Sequence, residues 1–265
     1  MPESNVFCRD CMEAMREFPD GFFDLAVVDP PYGIGVVSTH THTHTHTAQL
    51  GGGPPRAFGG KKNGVPHVQG GAWAANFFPV FDDSSPPDAD YFRELRRVAK
   101  RQIIWGGNFF DGLGRASCWI VWDKKRRGMD QADCELAWTN LPGQSRVFEF
   151  CWNGMLQGNM ANKEKRIHPT QKPVALYRWL FQRFAKPGDK ILDTHLGSGS
   201  SRIAAWDAGL DFWGYEISKV FFDLEEERFR THTDQLSLFI DAEELSRGKD
   251  TDREADADLV GDPAL

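Results

Sequence analysis

A chain of 265 residues, 40% hydrophobic and 26% charged, has the size of one large domain or of a domain with a sizeable insert. Twenty Phe and nine Trp supply ample core, and no run of 18 apolar residues marks a membrane span. The formal net charge of −7 argues at first against a nucleic-acid partner, but from Asp241 onward nine acids against three bases account for −6 of it.

The body therefore keeps basic clusters at Arg93, Arg96, Arg97, Lys100 and Arg101, at Lys124, Lys125, Arg126 and Arg127, and at Lys163, Lys165 and Arg166. Such clusters suit either a solvated face or contact with phosphates. Met1-Pro2-Glu3-Ser4 lacks the basic-then-apolar pattern of a signal peptide, so the expected location is intracellular, in the cytoplasm, with no membrane partner. The five cysteines are odd in number and scattered. They read as packed free thiols, and Cys8-x-x-Cys11 has no second ligand pair to make a zinc site.

In chain order, Val6-Phe7-Cys8 predicts a short strand and Cys11 to Phe18 a short helix or turn. Leu25-Ala26-Val27-Val28 is a continuous apolar run, as in a parallel strand covered on both faces. It must stop at Asp29-Pro30-Pro31, because proline cannot donate to a ladder and turns its predecessor away from helix. Residues 34–87 read as a loop or insert: Thr and His alternate from Thr39 to Thr47, and glycines cluster at 51–53 and 59–60. Phe92, Leu95 and Ala99 share one helical face over residues 88–99. Four aromatic-rich strands follow, at 102–105, 119–122, 135–138 and 147–150. A helix after Pro173 then presents Leu176, Trp179, Leu180 and Phe184. Lys190–Asp193 predicts a buried strand, residues 200–208 a helix, 212–216 a strand, and another helix begins near Ser218. The tail 241–265 is acidic and expected to be disordered.

Two segments carry chemistry. In Asp193-Thr194-His195-Leu196-Gly197-Ser198-Gly199-Ser200, a glycine turn joins a parallel strand to a helix, so a ligand can approach the backbone closely. Glu216 ends the next strand, where a carboxylate can accept from both hydroxyls of a ribose. The spacing falls short of a full dinucleotide fingerprint, which leaves a nucleoside-bearing cofactor as the reading. In Asp29-Pro30-Pro31-Tyr32, the Asp29 carboxylate and Pro30 carbonyl are two acceptors on a turn stiffened by proline. A base amine is a poor nucleophile because its lone pair is delocalised into the ring. Acceptors aimed at its two protons favour a pyramidal nitrogen and the positive charge that develops there. Tyr32 can stack on a base withdrawn from a duplex.

With these residues the sequence resembles the N4-cytosine/N6-adenine DNA methyltransferases, in the motif order of the β group, over residues 5–232. His168-Pro169-Thr170-Gln171-Lys172-Pro173, Ile104-Trp105-Gly106-Gly107-Asn108, Trp122-Asp123-Lys124 and residues 132–138 resemble family segments as well. The resemblance implies an α/β, Rossmann-like class I methyltransferase fold, with a mixed, mostly parallel seven-stranded sheet between helices. It also implies S-adenosyl-L-methionine as cofactor, double-stranded DNA as partner, and a homodimer. By position, Asp29, Pro30, Pro31 and Tyr32 would hold the target base, with Asp29 also at the cofactor. Asp193, His195, Gly197, Ser198 and Gly199 would line the cofactor, with Glu216 at its ribose, Asp10 and Cys11 at its adenine ring, and Lys172 near its carboxylate. The family usually has Asp-Pro-Phe where this chain has Asp193-Thr194-His195, so His195 either contacts cofactor or fills the space of the aromatic.

The expected organisation is a catalytic domain over 1–240, DNA-contacting segments at about 34–87 and 150–167, and the tail 241–265. Asp at the head of the first motif resembles the adenine enzymes more than the cytosine ones. N4-cytosine methylation and a non-catalytic DNA-binding relative are the competing readings. C5-cytosine chemistry is disfavoured because no Pro-Cys pair occurs. A dehydrogenase would leave Asp29–Tyr32 unexplained.

Overall fold

The computed structural model describes residues 1–34, 83–128, 132–152 and 156–235. The Thr-His repeat, most of the 34–87 insert and the acidic tail lie outside the described residues.

The apolar runs form eight strands: β1 (Ser4–Cys8), β2 (Leu25–Val28), β3 (Gln102–Trp105), β4 (Ile120–Asp123), β5 (Cys134–Thr139), β6 (Arg146–Glu149), β7 (Lys190–Asp193) and β8 (Asp211–Glu216). They make one sheet in the order β1-β8-β7-β2-β3-β5-β4-β6. The resemblance implied seven strands. The eighth is β6, which adds parallel to β4 at the sheet's edge, with Ile120 opposite Arg146 and Asp123 opposite Glu149. Only β5 runs against its neighbours.

Because the strands alternate, each face of the sheet is apolar. Leu25, Val27, Ile103, Trp105, Ile191 and Phe212 face one side, where α3 (Val174–Phe184) and α4 (Ser200–Asp207) cover them with Leu176, Leu180 and Ile203. Ala26, Val28, Ile104, Leu192 and Tyr215 face the other, under α1 (Cys11–Arg16) and α2 (Ala89–Val98), which supply Met15, Phe92, Leu95 and Val98. Asp10 and Asp88 cap α1 and α2 by accepting from the N–H groups of Glu13 and Tyr91. Trp179 is only partly buried and packs on Phe148 of β6. Cys8 and Cys134 are exposed rather than packed, and the five thiols are free. Residues 219–235 are helical. No helix among the described residues is long and apolar enough to cross a membrane.

This topology positions the site. β1, β8, β7, β2 and β3 are mutually parallel, so their carboxyl ends share one edge of the sheet. Asp10, Glu216, Asp193 and Asp29 follow or end four of those strands. With strands about 4.8 Å apart, the Asp29 and Glu216 positions are separated by two strand spacings, roughly 10 Å.

Candidate active site

Asp29 leaves β2 at this edge, and its carboxylate is fully engaged. The Tyr32 hydroxyl donates to Oδ1 at 2.7 Å, and the Lys172 ammonium donates to Oδ2. Lys172 also donates to the Tyr32 oxygen at 3.1 Å and reaches Glu135 Oε2 at 3.2 Å, so its three protons have three acceptors. Glu135 Oε1 in turn holds Lys124 at 2.6 Å. Asp29, Lys172, Glu135 and Lys124 thus form a chain of alternating charge in which the Lys172 side chain is 4% exposed. Burial lifts the Asp29 carboxyl above the ordinary carboxylate range against the pull of Lys172, and Glu135 adds to the lift. Burial works against the charge on Lys172, but Asp29 and Glu135 outweigh it and hold its pKa above the usual lysine value. At Glu135, Lys172 and Lys124 overcome burial and hold the carboxyl below its usual range. The cleft so formed, of about 200 Å³, is lined by Asp29, Pro30, Pro31, Tyr32, Glu135 and Lys172, among others.

Tyr32 is held from several sides. Its N–H and that of Gly33 donate to Asp83 Oδ1, which lies fifty-one residues beyond Tyr32 at the far end of the insert. Gly106 packs beneath the ring at φ +69°, and a Cβ there would sit 2.2 Å from Tyr32 Cε1.

The second cleft lies at the ends of β1, β7 and β8 and is lined by Asp10, Cys11, Thr194, His195, Tyr215, Glu216 and Ile217, with Arg9 at its side. Here the carboxylates bind backbone. Glu216 accepts from Gly197 N at 2.9 Å and from Ser218 N at 2.8 Å, while burial lifts its carboxyl above the usual range. Asp193 accepts from Ser201 Oγ and from His195 N. Burial, with Asp29 and Glu216 nearby, pushes its carboxyl up to about 7. Gly199 opens α4 at φ +69°, and a Cβ there would meet Glu225 Cγ at 2.4 Å, so the turn tolerates only glycine. A Cβ on Gly197 would meet only the His168 ring, at 3.7 Å. His195 packs edge-on against Tyr91, and burial lowers its pKa to about 4, so it is a neutral wall of the cleft. Burial, with Asp10 adding to it, pushes the Cys11 thiol up to about 12 and keeps it protonated.

Every candidate residue read from the sequence therefore falls on one edge of the sheet. The Lys172 ammonium lies in the Asp29 cleft, bound to the Asp29 carboxylate. Residues 168–172 bridge the two clefts, with His168 beside Gly197 and Lys172 on Asp29. Sequence reading assigned no individual role to Glu135, Asp83 or Phe109, and took Lys124 only as part of a basic cluster and a family-like segment. An acid in an aromatic-rich strand was the one local sign of Glu135; Asp83 is brought in only by the return of the insert. The basic clusters are largely neutralised: Lys100 pairs with Asp24, Arg101 with Asp189, Lys125 with Glu149 and Arg127 with Asp123. No group of three or more His, Cys, Asp or Glu among the described residues is arranged to hold a metal ion.

Residues 117–227 match the N6/N4 methyltransferase family model, described as DNA methylase. The chain is similar to the type II methyltransferase M.HpaI of Haemophilus parainfluenzae, 34% identical over 84 residues, which are 32% of this chain and 25% of that protein. It is also similar to the type II methyltransferase M.HinfI of Haemophilus influenzae, 33% identical over 66 residues, 25% of this chain and 18% of that protein. Each similarity thus spans a quarter or less of the relative's own length. Among solved structures, the M1.HpyAVI–SAM complex aligns with a TM-score of 0.49 and 16% identity, over 84% of this chain and 98% of that one. The family match takes in Glu135, Lys172 and the Gly197–Glu216 turn, while Asp29–Tyr32 lies outside it. Over those segments the chain is thus similar to the family's DNA methylases and to the two type II methyltransferases.

Proposed function

We propose that this chain methylates the N6 amine of adenine in a specific duplex DNA sequence, with S-adenosyl-L-methionine as donor and the target base flipped out of the helix. The observation that carries this reading is the nitrogen already bound at Asp29. The Lys172 ammonium donates to the carboxylate at the sheet edge, two strands from Glu216, which accepts the Gly197 N–H of the glycine turn. A base amine is also a nitrogen donor and suits the same oxygen.

The residues of the second cleft fit the cofactor. Glu216 keeps spare lone pairs beyond its two N–H bonds, and Asp10 and Cys11 line the same cleft. S-adenosyl-L-methionine, when bound, supplies an activated methyl on its sulfonium. The chain's own work lies at the amine. Asp29 Oδ2 and the Pro30 carbonyl accept its two protons and draw its lone pair out of conjugation. Lys172 gives up Asp29 and keeps Glu135, so its charge is compensated away from a nitrogen that is turning positive. Tyr32 continues to fix Oδ1, which aims the carboxylate. As the nitrogen–methyl bond forms, the surplus amine proton passes to Asp29, whose carboxyl already lies above the ordinary range. Fixed positioning of this kind is worth on the order of 7 kcal/mol or more in favourable cases.

Asp at the head of the acceptor turn favours adenine over cytosine in this reading. Residues 1–240 form the catalytic domain in it, with DNA contacts from segments 34–87 and 150–167. Labelled S-adenosyl-L-methionine incubated with the protein and mixed-sequence duplex DNA tests the reaction, and label is expected in the DNA. Long-read sequencing of that DNA reports base and site together. No transfer, with DNA binding indifferent to the cofactor, rejects the enzyme in favour of a binding protein; N4-methylcytosine rejects the choice of adenine.

A further inference from the structure

Thr194 and His195 stand where the resembled family usually has Pro-Phe, and here both side chains make hydrogen bonds that such a pair could not. The Tyr91 hydroxyl, carried on α2, lies 2.6 Å from Thr194 Oγ1, and Thr194 Oγ1 lies 2.9 Å from His195 Nδ1. Tyr91 and Thr194 are both buried. Among the described residues neither hydroxyl has another partner.

The direction of this relay follows from its hydrogens. Each hydroxyl has one proton to place. The imidazole, neutral because burial lowers its pKa to about 4, has one N–H to place on either nitrogen. If Nδ1 carried it and donated to Thr194, one of the two buried hydroxyl protons would be left without an acceptor, which folded chains avoid. With Tyr91 donating to Thr194 and Thr194 donating to Nδ1, both protons are used. The N–H of His195 then sits on Nε2, because the bond at one ring nitrogen sets the proton on the other.

Nε2 has no partner among the described residues and is not among their buried unpaired atoms, and His195 lines the cleft that holds Asp10, Cys11 and Glu216. That cleft is short of donors. Asp10 and Glu216 accept, the Arg9 guanidinium is taken up by both oxygens of Glu17, and the Cys11 thiol donates only weakly. Adenosine, in contrast, presents ring nitrogens and ribose oxygens that accept.

We propose that His195 Nε2–H is a hydrogen-bond donor to the adenosine half of the cofactor, and that Thr194 and Tyr91 are positioning residues that hold the imidazole in the tautomer able to donate. This deepens the function proposed above and rests on its cofactor. A neutral donor suits the place, since a charged one would be costly to bury there.

The test is equilibrium binding to the full chain, by calorimetry, of S-adenosyl-L-methionine and of 5′-methylthioadenosine, which keeps the adenosine and lacks the amino acid. His195→Phe keeps an aromatic ring without a donor. It should raise both dissociation constants by the same factor, about fivefold to tenfold. A factor confined to S-adenosyl-L-methionine would put the donor on the amino-acid half, and no change in either would remove it; both results overturn the proposal. Thr194→Val should raise both constants about threefold in the wild-type background and leave them unchanged in the His195→Phe background. An equal penalty in both backgrounds would make Thr194 a packing residue and overturn the relay. Nitrogen NMR reads the tautomer in the unaltered chain, with the His195 signals identified by their loss in His195→Phe. A protonated Nε2 that shifts on addition of 5′-methylthioadenosine is expected, and a protonated Nδ1 overturns the proposal. If the wild-type chain binds neither compound, the cofactor reading fails first and this one with it. If it binds both and methylates no DNA, the donor stands and the reaction reading falls alone.

Discussion

At Asp29 both carboxylate oxygens are held by side chains, Tyr32 and Lys172, whereas at Glu216 both are held by backbone N–H groups, those of Gly197 and Ser218. The difference matches the two tasks proposed for these residues. A backbone bond fixes the Glu216 carboxylate as rigidly as the turn itself, which suits a cofactor that returns unchanged in shape at each cycle. An ammonium on a flexible stem can hold a buried carboxylate in its ionised form and then make way for an incoming amine, since Glu135 supplies it with a second partner. In the proposed function, the acceptor half is exchangeable and the cofactor half is preorganised.

Three changes test that division. Asp29→Ala should have the largest effect, a fall in methyl transfer of about a thousandfold or more, on the order of 4 kcal/mol of transition-state stabilisation. It also strips Lys172 of one partner, so stability should drop by about 1–3 kcal/mol. Equilibrium binding of S-adenosyl-L-methionine should stay within a few-fold of wild type. Loss of binding equal to the loss of rate would show that the two halves are not separate.

Glu216→Ala should act on the other half alone. The cofactor Kd is expected to rise at least tenfold, about 1.4 kcal/mol, with most of the transfer rate recovered at saturating cofactor. A normal cofactor titration in this variant would remove Glu216 from the cofactor site.

The smallest expected effect, on the order of 1–2 kcal/mol, concerns His195 and is read in pH. Its pKa is lowered by burial to about 4, below the value of about 6.5 expected in the unfolded chain. Between these values the unfolded chain binds the proton and the folded chain does not. Stability from the neutral ring is therefore present above about pH 6.5 and is lost as pH falls towards 4. His195→Phe should keep the fold and cut the loss of stability between pH 7 and pH 5, measured as urea midpoints at the two values. An unchanged loss would show that His195 is not buried as a neutral wall.

Much of the scaffold is legible in the sequence because apolar strands, proline stops and glycine turns are local devices. Leu25–Val28 is hydrophobic at four consecutive positions since both faces of β2 are covered, and Pro30 ends it whatever lies around it. The same holds for Gly199, whose left-handed backbone opens α4 against Glu225. The residue patterns contain eight strands, and the seven implied by family likeness omitted the edge strand β6, which is short and mostly exposed.

What sequence alone determined, then, is which residues stand at strand ends: Asp29, Asp193 and Glu216 are marked by the elements they terminate. Tertiary structure decided who faces them. Lys172 lies 143 residues from Asp29 and Glu135 more than a hundred, and neither periodicity nor spacing carries information about a contact at that distance. The antiparallel run of β5 brings the beginning of that strand, and Glu135 with it, to the edge where the parallel strands end. The charge clusters make the same point in reverse: Lys124, Lys125 and Arg127 look free to meet phosphate in sequence, and the fold gives each an acid. Ionic partnership in a folded chain is a property of strand order, and strand order is written in packing between distant segments rather than in any one of them.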